Sequence, residues 1–293
     1  MHGTSPALPH LDHVTHRWVD VKGLHMHIAE AGSGDPLLLL HGFPQHWWQW
    51  RGVIPRLAEH YRVIAVDQRG FGWTDAPAHG YTASKLVEDV VQLMGALGIQ
   101  RARFLTHDWG AIIGQLIAME RPDLVEALVV TGAPDVHIRP NARLVGLIPK
   151  LWHAFVLALP IIGRRLQGNK KFMRHLFTMF EPEGGVSEED IGLYQARTVQ
   201  PERTKAGSAL YRGTILPAFI AIMSGAYAKR SFTVPTLVLI GAMEPSRDLQ
   251  EMGHRPGLEG NVTTEIIPGE GHFLIDHQPD LIAERALRFF AQN

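Results

Sequence analysis

The 293-residue chain contains no cysteine. Its absence removes disulfide scaffolds, thiolate zinc sites, iron–sulfur clusters and a cysteine nucleophile. A surplus of charge is missing too. There are 28 Lys and Arg against 29 Asp and Glu, a net charge of −1 with His neutral. That balance lacks both the clustered cations that neutralise nucleic-acid phosphates and the excess that holds disordered chains open. No unbroken apolar run is long enough to span a bilayer, which takes about 20 residues. Residues 144–162 come nearest, but Pro149, Lys150, His153 and Pro160 interrupt them, so they read as buried helices. No basic-then-apolar leader opens the sequence, so no secretory signal is expected and the cytoplasm is the default location. Phosphate cradles of the G-x-x-x-x-G-K type are missing, and Gly70-Phe71-Gly72 lacks the rest of a dinucleotide fingerprint. His10, His13 and His16, and His25 with His27, have no obvious further ligands, so neither a metal nor a cofactor is expected.

What the sequence does have is apolar material for a core, 45% of residues. Much of it lies in short runs that stop at polar or glycine residues. Residues 37–40 stop at His41-Gly42, 63–66 at Asp67, 103–106 at His107-Asp108, 127–130 at Thr131-Gly132, 236–240 at Gly241 and 264–267 at Pro268-Gly269. Runs of this length suit strands buried on both faces, as in parallel sheets. Helical patterns alternate with them. Val87, Val90, Val91, Met94 and Leu97 share one face, residues 111–119 form an apolar helix ending before Pro122, and 281–290 form a C-terminal helix. Residues 18–21 and 24–28, around Lys22-Gly23, predict a hairpin. The expectation is an α/β fold with a mostly parallel central sheet and helices on both faces. Residues 137–231 break the rhythm. They look helical throughout, with turn signals at Gly163, Gly168 and Gly184-Gly185. The predicted division is therefore a core of 1–136 and 232–293 with a helical insertion of 137–231.

Ligands of open parallel sheets bind at the carboxyl ends of the strands, so the residues after each run matter most. Thr106-His107-Asp108-Trp109-Gly110 joins a strand to a helix and has the pattern of a nucleophile elbow, with Asp108 at its centre. No G-x-S-x-G occurs, which argues against a serine esterase or lipase. A carboxylate nucleophile attacks an sp³ carbon and forms an ester that water must then cleave. Cleavage needs a base and an oxyanion hole. His272 in Gly269-Glu270-Gly271-His272-Phe273 is the natural base, and Glu244 fits as its acid partner; Asp248 and Asp135 are the other acid candidates. The backbone N–H groups of Phe43 and Trp109 would form the oxyanion hole.

Jointly, His41-Gly42-Phe43-Pro44 with Trp50-Arg51, Asp67-Gln68-Arg69-Gly70-Phe71-Gly72, His107-Asp108-Trp109-Gly110 and Gly271-His272-Phe273 span residues 37–275. The chain resembles the α/β-hydrolase fold, specifically its epoxide hydrolase and dehalogenase branch. The resemblance implies that 137–231 is a cap over the active site and that the Phe43-Pro44 bond is cis. It also implies a proton donor from the cap. Leu210-Tyr211-Arg212 resembles one donor motif, and Leu151-Trp152-His153-Ala154-Phe155 resembles the other with His in the usual Tyr place. Tyr211 and His153 are therefore expected as donors, with Tyr194 as the alternative to His153. Haloalkane dehalogenases typically carry Asn where this chain has Phe43, and fluoroacetate dehalogenases carry Arg residues where Trp109 and Ile112-Ile113 stand. The expected activity is epoxide hydrolysis, with dehalogenation and a non-catalytic binding module on the same fold as alternatives. The expected pocket is apolar, lined by Phe43, Trp109, Trp152 and Phe155, and its partners are a small hydrophobic epoxide and water. Nothing in the sequence argues against a homodimer.

Overall fold

The computed structural model describes residues 6–139, 141–182, 185–230, 232–253 and 261–293. Eight strands make one sheet: β1 (Thr15–Val21), β2 (Leu24–Ala31), β3 (Pro36–Leu40), β4 (Arg62–Val66), β5 (Ala102–His107), β6 (Val125–Thr131), β7 (Thr236–Gly241) and β8 (Val262–Ile267). Their spatial order is β1-β2-β4-β3-β5-β6-β7-β8. β1 and β2 pair antiparallel, as do β2 and β4, and every other pairing is parallel.

The wholly apolar runs follow from two-sided burial. Along β3, Leu38 and Leu40 pack with Phe104 and Trp109 on one face of the sheet. Leu37 and Leu39 pack with Trp47, Trp50 and Phe290 on the other. A side-chain period of two with a hydrophobic core on each face leaves no position for a polar residue. The edge strand β8 departs from this rule. Its Thr263 and Thr264 are exposed because only β7 flanks it.

The chain passes from β3 to β4 on one side and then returns to β5 on the other side of β3. This reversal opens a crevice beyond the ends of β3 and β5, where a ligand can sit. Gly42-Phe43 and Asp108 stand there.

Between β6 and β7 the described chain is helical, from Ala142–Leu151 through Leu216–Met223. Two expectations change here. Gly163 does not mark a turn but lies in the helix Ile162–Gln167, where a Cβ would stand 2.1 Å from the Leu157 carbonyl oxygen; its role is close approach. Gly168 ends that helix, and Gly184 lies outside the described residues. The second change concerns 144–162, expected to be buried. Several of its large apolar residues stand in water, because the segment packs over the crevice rather than against the sheet.

One helical run, Pro201–Met223, is long and apolar enough to cross a bilayer by length and composition. It is bound to the core instead. Arg203 donates to the Thr74 carbonyl, and the Thr214 hydroxyl donates to the Tyr81 carbonyl at 2.7 Å. Its middle turn, Tyr211–Ile215, is π-helical, a widening that often accompanies a functional side chain.

Candidate active site

Asp108 follows β5 directly and precedes the helix Trp109–Glu120. Its backbone has φ +51° and ψ −122°, a conformation that L-residues rarely adopt. Small neighbours make the turn feasible. A Cβ at Gly110 would stand 2.4 Å from the Leu40 carbonyl oxygen, and one at Gly42 would stand 2.6 Å from Cβ of Asp108. Strand end, strained turn and helix start together lift the Asp108 carboxylate into the crevice.

Its Oδ2 accepts a hydrogen bond from the Phe43 N–H at 2.8 Å, and the Trp109 N–H also supports the carboxylate. The Phe43-Pro44 peptide is cis. Burial raises the carboxyl above its ordinary pKa, against the opposing pull of His272 and the two N–H groups. Nε2 of His272 lies 4.0 Å from the other oxygen, Oδ1. That separation is too long for a direct hydrogen bond.

Nδ1 of His272 pairs with Oε2 of Glu244 at 2.8 Å, and the Gly241 N–H donates to Oε1 at 3.0 Å. Both Glu244 oxygens are thus engaged, and the residue is buried. Burial is the largest single influence on His272 and lowers its pKa. The Glu244 hydrogen bond and charge, with those of Asp108 and Glu181, outweigh it and raise the imidazole to about 9. The other acid candidates are engaged elsewhere. Asp248 pairs with Lys150 at 2.7 Å and with Arg247 at 2.6 Å, and Asp135 pairs with Nδ1 of His137 at 2.6 Å.

His153 and Tyr211 both line the cavity above Asp108. Burial, then the Asp108 charge, pushes the Tyr211 phenol well above its ordinary range. Burial, then His272, lowers His153 to about 4. Its Nδ1 is buried without a hydrogen-bond partner among the described residues. Tyr194 is fully buried outside the cavity, where its hydroxyl donates to Asp276 Oδ1 at 2.8 Å.

The cavity has roughly 180 Å³ of free volume and mainly apolar walls, among them Phe43, Phe155, Phe180, Phe219 and Ile222. Two expected wall residues are not there. Trp152 is 42% exposed, because helical rotation of about 100° per residue turns it outward when His153 faces in. The Trp109 indole is buried edge-on to His41 and beside Phe71, so only its backbone serves the site.

The chain matches the α/β hydrolase fold family over residues 35–279. A soluble epoxide hydrolase of Corynebacterium sp. (strain C12) is 30% identical over 296 residues, covering 95% of this chain and 98% of the relative. The chain belongs to the epoxide hydrolase branch of the α/β-hydrolase family. Epoxide hydrolase 4 of Mus musculus is 41% identical to this member over 286 residues, covering 92% of this chain and 77% of the relative. Among solved structures, the epoxide hydrolase CorEH without ligand matches with a TM-score of 0.79 at 29% identity, covering 95% of this chain and 99% of that one. Epoxide hydrolase I of potato (Solanum tuberosum) matches with a TM-score of 0.81 at 25% identity, covering 96% and 100%.

Two features of this family member escaped the sequence reading. Asp67, named there only as part of a motif, binds Nδ1 of His27 at 2.6 Å and accepts the N–H groups of Trp47 at 2.7 Å and Trp73 at 2.9 Å. It thereby ties together the loops behind the crevice. His16 extends the pair, with Nδ1 3.1 Å from Nε2 of His27. Among the described residues no group of His, Asp and Glu could hold a metal ion.

Glu181 was missed altogether. Its Oε1 accepts the N–H of Phe273, next to His272, at 2.7 Å, while its Oε2 is buried without a partner among the described residues. Burial, opposed by the Phe273 N–H and His272, raises it to about 7. Glu181 is the first acid after Asp135, and that isolation in an acid-free stretch was the available signal.

Proposed function

We propose that this chain converts a hydrophobic epoxide to a vicinal diol through an ester on Asp108, beneath a cap formed by residues 137–231. The observation that carries the reading is the ordering of His272. One ring nitrogen is held by Glu244 and the other faces Asp108 Oδ1 across 4.0 Å, a gap suited to a water. Oδ2 is occupied by the Phe43 N–H, so Oδ1 attacks the epoxide carbon and the carbon–oxygen bond breaks. The departing oxygen takes the Tyr211 proton while the His153 N–H supports it. Burial keeps Tyr211 protonated and His153 neutral near pH 7, so both can donate hydrogen bonds.

Ester formation removes the Asp108 charge, one of the influences that raise His272. The imidazole then gives up its proton more readily and can act as a base. It takes a proton from water, and the hydroxide adds to the Asp108 carbonyl carbon. Negative charge collects on Oδ2, which already accepts the Phe43 N–H, and the Trp109 N–H also supports this carboxyl group. Collapse breaks the ester bond, and the diol oxygen takes the proton from His272. Asp108 is left as the carboxylic acid and releases its proton to solvent while Tyr211 recovers one, so the sum is epoxide plus water to diol. The steps balance with these residues and water alone. An apolar cavity favours a hydrophobic substrate. A cytoplasmic site of action belongs to the same proposal.

The test is a single turnover in water labelled with oxygen-18, across epoxides and haloalkanes. The first diol should carry an unlabelled Asp108 oxygen, with label entering the Asp108 carboxylate. Label appearing directly in that diol, or normal turnover by Asp108→Ala, would defeat the reading. Halide release without diol formation from any epoxide would assign dehalogenation instead.

A further inference from the structure

Residues 136–180 hold eight Lys and Arg, from Arg139 to Arg174, and no Asp or Glu, in a chain whose overall net charge is −1. The same segment places apolar side chains in water. Val145, Ile148, Trp152, Phe155, Leu159 and Ile162 are between 39% and 63% exposed. They recur every three or four residues along three successive helical segments, Ala142–Leu151, Trp152–Ala158 and Ile162–Gln167. Ile161 and Ile220 add to them, at 64% and 62%. Among the described residues, only Trp18 and Met243 are large apolar side chains of comparable exposure elsewhere. A monomer seldom concentrates its exposed apolar surface in this way unless something covers it.

Two of the cations sit beside one of these apolar residues. Ile161, Arg164 and Arg165 line one shallow surface depression. Arg164, Arg165, Lys170 and Lys171 are all exposed and form no ion pair among the described residues, whereas Lys150 and Arg174 are paired with Asp248 and Glu188. The stripe also adjoins the cavity. Phe155 is 39% exposed yet lines it, and the neighbouring His153 and Ala154 face inward.

We propose that this face docks on an anionic lipid bilayer surface. The apolar stripe would enter the headgroup boundary, and Arg164, Arg165, Lys170 and Lys171 would pair with lipid phosphates and carboxylates. An apolar face flanked by unpaired cations is the composition that interfacial segments use. A second copy of this chain fits less well, because a two-fold contact through one patch would bring like-charged residues together. Docking would set the mouth of an apolar cavity against a lipid phase, so a substrate dissolved in the bilayer could enter directly. That consequence alone rests on the proposed epoxide hydrolysis.

Co-sedimentation tests the docking without reference to turnover. The probes are vesicles of phosphatidylcholine alone and of phosphatidylcholine with about one-quarter phosphatidylserine, at low and high salt. Binding should favour the anionic vesicles and weaken with salt. Partition should fall about fivefold for each positive charge removed, and further for the charge reversals Arg164→Glu and Arg165→Glu. Ile148→Ser with Ile161→Ser should also weaken binding several-fold. These side chains are exposed and do not line the cavity, so both variants should keep the unfolding midpoint and the turnover of a water-soluble epoxide. No sedimentation at low salt overturns the proposal, as does equal binding to both vesicle types or indifference to both variants. A dimer in sedimentation velocity that the Ile variant breaks, with no vesicle binding, would assign the face to a second copy. Vesicle binding as described, with no epoxide turned over, would leave the docking intact and defeat the catalytic reading.

Discussion

Replacing Glu244 by Gln tests the hydrolytic half of the proposed reaction, because a carboxylate and an amide differ here in more than charge. Glu244 accepts twice, from the Gly241 N–H at 3.0 Å and from His272 Nδ1 at 2.8 Å. Gln has one acceptor oxygen and one donor group. If the amide oxygen faces His272, its NH₂ opposes the Gly241 N–H and leaves that buried donor unpaired, at a cost of about 1–3 kcal/mol. If the amide reverses, its NH₂ donates to Nδ1 and forces the proton onto Nε2, the atom that must accept from water. Either outcome also removes the charge that supports the imidazolium. A charge-assisted hydrogen bond contributes about 1.5–3 kcal/mol, so the His272 midpoint, about 9 in the parent, should fall by about one to two units. Ester formation at Asp108 does not use His272 as a base and should slow only a few-fold. Ester hydrolysis should slow by about 100-fold or more, the usual scale of general-base catalysis. Rapid quench followed by mass spectrometry of the peptide containing Asp108 reads both steps, and the alkyl adduct should accumulate. Equal slowing of the two steps would refute the reasoning. So would adduct accumulation in Asp248→Asn with none in Glu244→Gln.

Stability should rise with pH up to about 6.5, because buried histidines such as His46 and His153, lowered to about 3 and about 4, stay neutral in the fold, and it should then fall from about pH 7 to about 9. Glu181 is raised from 4.5 to about 7, so the folded state holds a proton that the unfolded chain has lost, and this contribution disappears through about pH 7. His272 is raised from 6.5 to about 9; its contribution is complete below 6.5 and lost by about 9. Urea unfolding from about pH 5 to 9 checks both signs, and Glu181→Gln should alter the profile only up to about pH 7 while leaving the decline toward pH 9 in place. Tyr211→Phe should slow ester formation about 100-fold while leaving hydrolysis of a preformed ester nearly unchanged; rapid quench that finds the reverse order would remove Tyr211 from ring opening. Gly110→Ala should destabilise the fold by about 2 kcal/mol or more, since its Cβ would meet the Leu40 and His41 carbonyl oxygens at 2.4 and 2.5 Å. An unchanged urea midpoint would show that the elbow tolerates a side chain.

Much of the sheet was readable because each central strand is buried on both faces and therefore appears as an unbroken apolar run. β8 was less clear because an edge strand tolerates Thr and Glu. Asp108 and His272 could be found because strand ends and turn-forming glycines are local signals. Choosing among Glu244, Asp248 and Asp135 was not a local matter. All three are acids near strand ends, and only the folded chain shows that the latter two are already paired with Lys150 and His137. Trp152 misled because an aromatic beside His153 suggests a pocket wall, while helix rotation puts neighbours on different faces.

The sequence by itself determined the layered α/β order, the place of the strained turn at Asp108 and the absence of thiols, since strand burial, turn geometry and residue type are properties of short segments. Tertiary structure decided the rest. It brought Glu244, Asp108, His153 and Tyr211 around one cavity from segments far apart in the chain, and it placed Glu181 beside Phe273 and His272. It also turned several large apolar side chains between 145 and 162 outward. Periodicity tells which residues share a face, but only the packing of the whole chain tells whether that face meets protein or water.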